Sequence, residues 1–320
     1  MKMNTYQTVI VGAGLTGITA ARQLQDKREN ILIIDKGRSV GGRMATRRID
    51  GGKADHGAQF FTTRTVAFKQ ITAEWLEKGW IKHWFGDDHP RYASVDGMNA
   101  LMKRYAEGLP AVLDKRITRI KKHDSGYELT DEQGQSVAIA EKVILTMPIP
   151  QITELLETSG MDVVPDLKNV DMTPVVAGLF SFETTPASEK GRIIGDFHEG
   201  IDRIIEHKEK GISDTPVATV YMTGEWSKKH FDHDAEETLS YIEQQAAPFF
   251  GETSIRTRQL KKWRYAETVN PLNTSTLKLA VGLWAAGDSF LRPEDEAGTT
   301  RCESAYLSGL DVAEAVVREQ

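Results

Sequence analysis

Three glycines in the pattern Gly12-x-Gly14-x-x-Gly17, with Asp35 further on, form the arrangement with the clearest chemistry in this 320-residue sequence. A diphosphate needs backbone N–H donors and a close approach of the chain. Gly12 permits a tight turn, Gly14 leaves room for phosphate, and Gly17 lets a helix pack closely on a strand. With Ala13, Leu15 and Thr16 between the glycines, the loop would open a helix whose unpaired N–H groups and dipole face an anion. Asp35, with Lys36 beside it, falls where a carboxylate can accept hydrogen bonds from ribose hydroxyls. The glycine pattern alone is a weak signal. Here it lies between an apolar strand at 6–11 and a helical pattern at 15–27, and a second apolar strand follows at 30–34. The implied ligand is a dinucleotide with an ADP half. The motif does not separate NAD from FAD, because both present that half.

The elements that must position this loop can be read from periodicity and from turn residues. Residues 36–63 read as a loop rich in Gly and Arg. Helices are expected at 65–78 and 98–106, short strands within 79–92, and strands at 117–121, 127–130, 137–140 and 142–145. Pro148 and Pro150 are expected to break the chain. Beyond them come strands at 175–182 and 217–223, a helix at 236–247, a buried strand at 279–286 and a closing helix at 300–317. That last helix places Ala305, Gly309, Ala313 and Val316 on one face. The expected fold is α/β. A Rossmann-type nucleotide domain is built from both chain ends (1–64, 95–150 and 277–320), and an α+β substrate domain is inserted (65–94 and 151–276).

Composition narrows the class. The chain is 40% hydrophobic and 27% charged with a net charge of −6, so no polyanion-binding surface, and no nucleic-acid partner, is implied. Its single cysteine excludes an intrachain disulfide, which suits a reducing compartment. No stretch reaches the ~18 apolar residues of a membrane helix. The apolar run at the N-terminus is short for a signal peptide. A soluble cytoplasmic protein is expected. His230, Asp232, His233 and Asp234 read as a solvated polar loop and not as a metal site. No Ser-His-Asp order or P-loop stands out, and the sequence carries no signature of an oligomeric state.

A second set of motifs bears on the cofactor. Gly41-Gly42-Arg43-Met44-Ala45-Thr46-Arg47 is followed by Asp55-His56-Gly57-Ala58-Gln59-Phe60-Phe61. Near the other end stand Ala285-Ala286-Gly287-Asp288 and Ala297-Gly298-Thr299-Thr300-Arg301-Cys302-Glu303-Ser304-Ala305, with KVILTMPIP and Trp263-Arg264-Tyr265-Ala266 between. The sequence resembles the renalase-like branch of the FAD-dependent amine oxidase superfamily along its whole length, most specifically at the two ends. Glycines 41 and 42 allow close passage by a diphosphate, which Arg43 can neutralise with a charge-assisted fork.

The resemblance implies non-covalent FAD. Gly42, Arg43 and Met44 would lie at the pyrophosphate, and Ile117 would present its backbone to the adenine. His56, Gly57, Ala58 and Gln59 would pass the isoalloxazine ring, with His56 and Gln59 as candidates for contact near the reacting face. Gly287 and Asp288 would reach the ribityl or diphosphate region. The helix start at Thr299, Thr300 and Ser304 would stabilise negative charge on the reduced ring. Cys302 reads as a small thiol and not as a covalent flavin link. Lys261 and Lys262 read as two exposed charges.

For the substrate, the resemblance points to Tyr92, Ser94, Asp96, Gly97, Met98 and Asn99, where Asp96 is more acidic than the family pattern. Phe180, Trp263 and Tyr265 are candidate aromatic walls. The implied reaction takes hydride from a small reduced substrate, a misreduced dihydro isomer of NAD(P)H, with O2 as electron acceptor. Alternatives are an amine oxidase or desaturase of the same superfamily, an NAD-dependent dehydrogenase and a non-catalytic flavoprotein.

Overall fold

The structure, a computed structural model, describes residues 5–319. Residues 1–4, where the N-terminal leader reading begins, lie outside the described residues. The opening strand Thr5–Val11 is apolar along its second half and buried on both sides, as a central parallel strand must be. Val9 and Val11 point into one core, with Leu129, Ile149 and Leu155. Ile10 points into the other, with Leu24, Val312 and Ala313. Parallel neighbours run outward from it. Ile31–Ile34 and then Ala111–Val112 lie on one side, and Ser136–Leu145 and then Leu283–Ala285 on the other. Strands from both ends of the chain therefore share one sheet. Helices Leu15–Asp26 and Cys302–Arg318 cover one face of it.

The two helices approach closely because the closing helix carries glycine at the crossing. A Cβ on Gly309 would lie 2.7 Å from the Thr16 carbonyl oxygen. A Cβ on Gly17 would collide with the carbonyl of Gly12. Gly14 differs, since a Cβ there would meet nothing within 4 Å. The first and third positions of the motif are thus packing constraints, while the second faces open space.

A second sheet is antiparallel, in the order Arg192–Ile193, Ile201–Glu206, Val217–Met222, Met172–Phe182 and Ile255–Thr268. Alternation along its strands gives it two faces. Val176, Phe180, Ala218 and Val220 pack under the helix Ala235–Phe250. Ala177, Leu179, Val217 and Tyr221 face the hairpin strands through Ile49, Ala54, Trp84 and Ala93. Among the described residues, no helix is long and apolar enough to cross a membrane.

Several expectations need correction. The segment 36–63 is not all loop, because Thr46–Ile49 and Gly52–Asp55 form a hairpin. Its turn residues Asp50 and Gly51 both have positive φ (46° and 75°), the backbone that Asp-Gly favours. The strand pieces at 137–140 and 142–145 are one strand, Ser136–Leu145. The single strand expected at 279–286 is a pair, Leu277–Ala280 and Leu283–Ala285, turning at Gly282 with φ 71°. Pro150 does not stop the chain. It sits in the first turn of the helix Ile149–Thr158, where its missing N–H costs nothing. The strand Ile255–Thr268 has no counterpart in the sequence reading. It pairs on one side only and stays half-exposed, so it carries charged residues in place of an apolar run.

Gly17→Ala should destabilise the protein by about 1–3 kcal/mol, the usual cost of overpacking. Gly14→Ala should change unfolding stability by under about 0.5 kcal/mol. Urea unfolding of the two variants without added ligand checks the contrast.

Candidate active site

One cavity of 1140 Å³ runs from the glycine loop to the second sheet. Typical small-molecule sites span ~300–1,000 Å³, so this volume can take a dinucleotide with a small substrate beside it. At one end lie Gly12, Gly14, Leu15, Thr16, Asp35, Lys36, Ile117, Thr146 and Pro148. Gly42, Arg43, Met44, Gly57, Ala58, Gln59, Asp288 and Thr300 line its middle, and Trp263 and Tyr265 lie on the second-sheet side. The structure thus brings most of the expected cofactor residues onto one surface.

Asp35 is pre-ordered there. Its two carboxylate oxygens accept the N–H groups of Ala13 and Gly37, each at 2.6 Å. The Gly41 N–H donates to the Ala13 carbonyl at 2.7 Å, so the two glycine turns border the same gap. Arg43 forks onto the Asp288 carboxylate and also donates to the Ala266 carbonyl at 2.9 Å. Arg43 and Asp288 were expected to meet the ligand separately, but they form one bidentate pair on the cavity wall.

Other expected residues lie behind the wall. Ala13 is fully buried, and Gly17 packs against the loop's own backbone. The Gly287 N–H donates to Ser308 Oγ. Ser304 Oγ accepts the Arg301 N–H and bonds the Asp288 carbonyl, which closes the start of the last helix. Thr299 is exposed off the cavity, and its carbonyl accepts from Arg301. His56 does not line the cavity. It stacks on Trp263 at 5.3 Å, and its carbonyl accepts from the Trp263 indole N–H. Gly57 is small for a reason other than the one expected, since a Cβ there would collide with the Arg43 carbonyl.

The substrate assignment at 92–99 finds no support in the geometry: none of these residues lines this cavity, and most of their polar groups hold the scaffold. Ser94 Oγ donates to the Trp80 carbonyl. Asp96 pairs with Arg104. Gly97 has φ 95° and fits tightly against Thr46. The Met98 N–H donates to Asp55, and Asn99 Nδ2 donates to the Val40 carbonyl. Tyr92 packs tilted against Phe61 and lines a separate 750 Å³ cavity. Phe180 is fully buried against Phe250.

Several wall residues escaped the sequence reading. Arg203, Tyr221 and Met222 come from the second sheet, whereas Arg301 and Cys302 lie in the helix start that the sequence had pointed to. Burial pushes the Cys302 thiol up to about 12, with the Asp288 carboxylate adding to the effect, so it stays neutral. Behind the wall, Lys210 and Asp55 form a wholly buried ion pair at 2.9 Å. Burial pulls the Lys210 ammonium below its ordinary value, and Asp55 opposes that shift. Lys210 also donates to Gln59 Oε1 at 2.8 Å. The Asp55 carboxylate takes the Thr46 hydroxyl and the Met98 N–H, and its carbonyl takes the Gln59 amide and the Thr219 and Tyr221 hydroxyls. Asp55 was visible at the head of the DHGAQFF run, whereas nothing around Lys210 in the sequence signals its partner.

Burial, aided by the charge of Lys261, lowers the His56 imidazole to about 4. The unfolded chain therefore binds a proton between pH 6.5 and 4 that the folded chain refuses. The His56 contribution to stability is complete above pH 6.5 and is lost as pH falls, by up to about 3 kcal/mol at pH 4. His56→Gln should flatten the pH dependence of the urea midpoint over that window. An unchanged slope would remove His56 as its source.

Comparison with known proteins agrees with this geometry. A model of the "NAD(P)-binding Rossmann-like domain" matches residues 10–74, and one of the "Flavin containing amine oxidoreductase" family matches residues 68–317. The chain is 31% identical to an L-amino-acid oxidase from Siganus canaliculatus over 40% of its own length and 24% of that protein. It is 38% identical to a hydroxyneurosporene desaturase from Rubrivivax gelatinosus over 22% of its length and 13% of that protein. These alignments therefore span a quarter or less of each relative. Among solved structures, a chain from Exiguobacterium sp. 255-15, provisionally assigned as a protoporphyrinogen oxidase, superposes with TM-score 0.72 at 14% identity, covering all of both chains. A putrescine oxidase variant gives 0.70 at 12% identity over 99% of each chain. The family match over most of the chain, on a fold with this cavity between its two sheets, shows that the protein belongs to the flavin-containing amine oxidoreductases, a family of FAD-dependent enzymes.

Proposed function

We propose that this chain is a renalase-like oxidase that takes hydride from a dihydro isomer of NAD(P)H and passes the electrons to O2. The observation that carries this reading is the wall facing the second sheet. Phe60, Phe61, Tyr221, Trp263 and Tyr265 offer flat apolar surface, and Arg203 sets a guanidinium over the Tyr221 ring; Lys262 and Arg264 also line the cavity, with the Lys262 ammonium donating to the Phe231 and His233 carbonyls and Arg264 paired with Asp232. A planar ring bearing a phosphate suits that combination. The Asp202 carboxylate is already engaged by Arg203.

The residues present fit FAD. The space in front of Gly14 would be filled by a Cβ, the mark of a position kept open for a ligand. The glycine loop would hold the diphosphate, with Arg43 nearby, Asp35 would take the adenosine ribose, and residues 57–59 would face the isoalloxazine. Bound there, the flavin supplies the hydride acceptor. The chain's own work is orientation and electrostatics. Arg301, held by Asp295, lies at the positive end of the 17-residue closing helix and favours negative charge arriving in that part of the cavity. A neutral Cys302 adds no opposing charge. No wall residue need move a proton for hydride transfer.

A second reading is oxidation of an amine. Glu267 lines the same wall and is in no ion pair among the described residues, so it could receive an ammonium.

Anaerobic mixing separates the two. The dihydro isomers should bleach the bound flavin and amines should not, and in air peroxide should follow. Bleaching by amines alone would replace the first reading with the second. Arg203→Ala should raise KM for the isomers roughly fivefold, about 1 kcal/mol, and leave kcat within about twofold.

Arg43→Met should release FAD on gel filtration, whereas Arg48→Met, at an exposed strand position, should retain it. Equal retention would remove Arg43 from the cofactor site.

A further inference from the structure

The Lys210–Asp55 pair raises a question that stability does not answer. Two ions buried together seldom improve on apolar residues of the same volume. This pair is wholly inaccessible, yet its hydrogen bonds lead to the cavity. Lys210 Nζ donates to Gln59 Oε1 at 2.8 Å, so the amide of Gln59 has one available orientation. Its NH2 is then aimed at the Asp55 carbonyl, 2.8 Å away, and at the Tyr221 hydroxyl. The Tyr221 proton is in turn directed to the carbonyls of Asp55 and Gly57, at 3.0 and 3.1 Å. Burial pushes the Tyr221 hydroxyl well above its ordinary value, with Asp55 reinforcing the shift, so it remains a donor. Gln59 and Tyr221 both line the large cavity, and so does Gly57. The ammonium itself does not.

The geometry points to Lys210 as a positioning residue. Its charge, paired with Asp55, fixes the side chain of Gln59, and through Gln59 the Tyr221 hydroxyl and the Gly57 carbonyl, so that one face of the cavity wall is held in a single arrangement. Lys210 comes from the loop after the strand Ile201–Glu206, whereas Asp55 and Gln59 belong to the segment next to the glycine turns. The pair therefore also sets the distance between the second sheet and the wall that adjoins the cofactor. Trp84 covers the ammonium at 4.8 Å, and the Lys82 ammonium donates to the Lys210 carbonyl at 2.6 Å, which together fix the loop that carries it. This inference rests on the proposal that residues 57–59 face the flavin ring.

The test uses the FAD-loaded protein and reads sulfite affinity. Sulfite adds to the reactive position of an oxidised flavin, so its affinity reports the surroundings of the ring without substrate or turnover. Three variants are compared. D55N/K210Q neutralises both charges and keeps hydrogen-bonding groups, D55N/K210M replaces the lysine with an apolar chain of similar length, and Gln59→Met removes the oriented amide. The pairs should retain FAD and a cooperative unfolding transition, weaken or strengthen sulfite binding at least fivefold, and slow single-turnover flavin reduction at least tenfold, with the reductant Kd changed less than threefold. Gln59→Met should shift sulfite affinity in the same direction. If Gln59→Met shifts it and both folded pairs match the wild type, Lys210 is structural and the inference is overturned. If Gln59→Met leaves both sulfite affinity and the visible spectrum unchanged, residues 57–59 do not face the ring, and the underlying reading falls with it. Should one pair fail to fold, the other carries the same measurement.

Discussion

The buried carboxylate of Asp55 is the point on which the two halves of this molecule meet. It takes Lys210 from the second sheet's loop, Thr46 from its own hairpin and the Met98 N–H from the start of the helix Met98–Tyr105. Its carbonyl takes groups from Gln59, Thr219 and Tyr221. Each ion costs several kcal/mol to bury, and only a nearly complete set of partners offsets that cost. Such a hub tolerates one relative placement of its segments. The cavity between the sheets takes its shape from that placement, because its wall at Gly57 and Gln59 is continuous with the hub.

At the nucleotide end the constraint is steric. Gly17, Gly57 and Gly309 sit where backbone meets backbone and Gly12 sits against the Thr146 hydroxyl, and a methyl group at any of them would meet an atom closer than packing allows. Gly14 is the exception, and it opens onto the cavity. The same close packing draws the closing helix Cys302–Arg318 over the glycine loop, so its N-terminus reaches the cavity alongside Asp288. Gly14, Gly42 and the locked pair of Arg43 and Asp288 border the cavity there.

Charge separates the cavity's roles further along. His56 and Cys302 are both held neutral by burial, so neither adds a charge near the middle of the cavity. The cations Arg203, Lys262 and Arg264 gather at the second-sheet side. Membership in the flavin-containing amine oxidoreductases accounts for the nucleotide end, whose shape is set by backbone geometry and a helix dipole, whereas the family match does not rank the side chains at the second-sheet side. Arg203 and Tyr221 belong to strands whose sequence, IDRIIE and VATVYM, reads as ordinary sheet.

The sequence by itself determined the dinucleotide loop, because Gly12, Gly14, Gly17 and Asp35 act through local backbone geometry that residue type and spacing specify. It also placed the strands whose apolar runs are buried on both faces, and the last helix with its small residues aligned. It could not show which side chains of a continuous segment turn toward the cavity. Residues 92–99 lie close to the site along the chain, yet their polar groups are consumed by scaffold contacts. The polar edge strand Ile255–Thr268 carries no apolar signature, yet it supplies Trp263, Arg264 and Tyr265 to the wall. Only the tertiary structure decided that Lys210 meets Asp55, because their pairing is set by the packing of one sheet against the other, and no periodicity or spacing encodes a contact between positions so far apart in the chain.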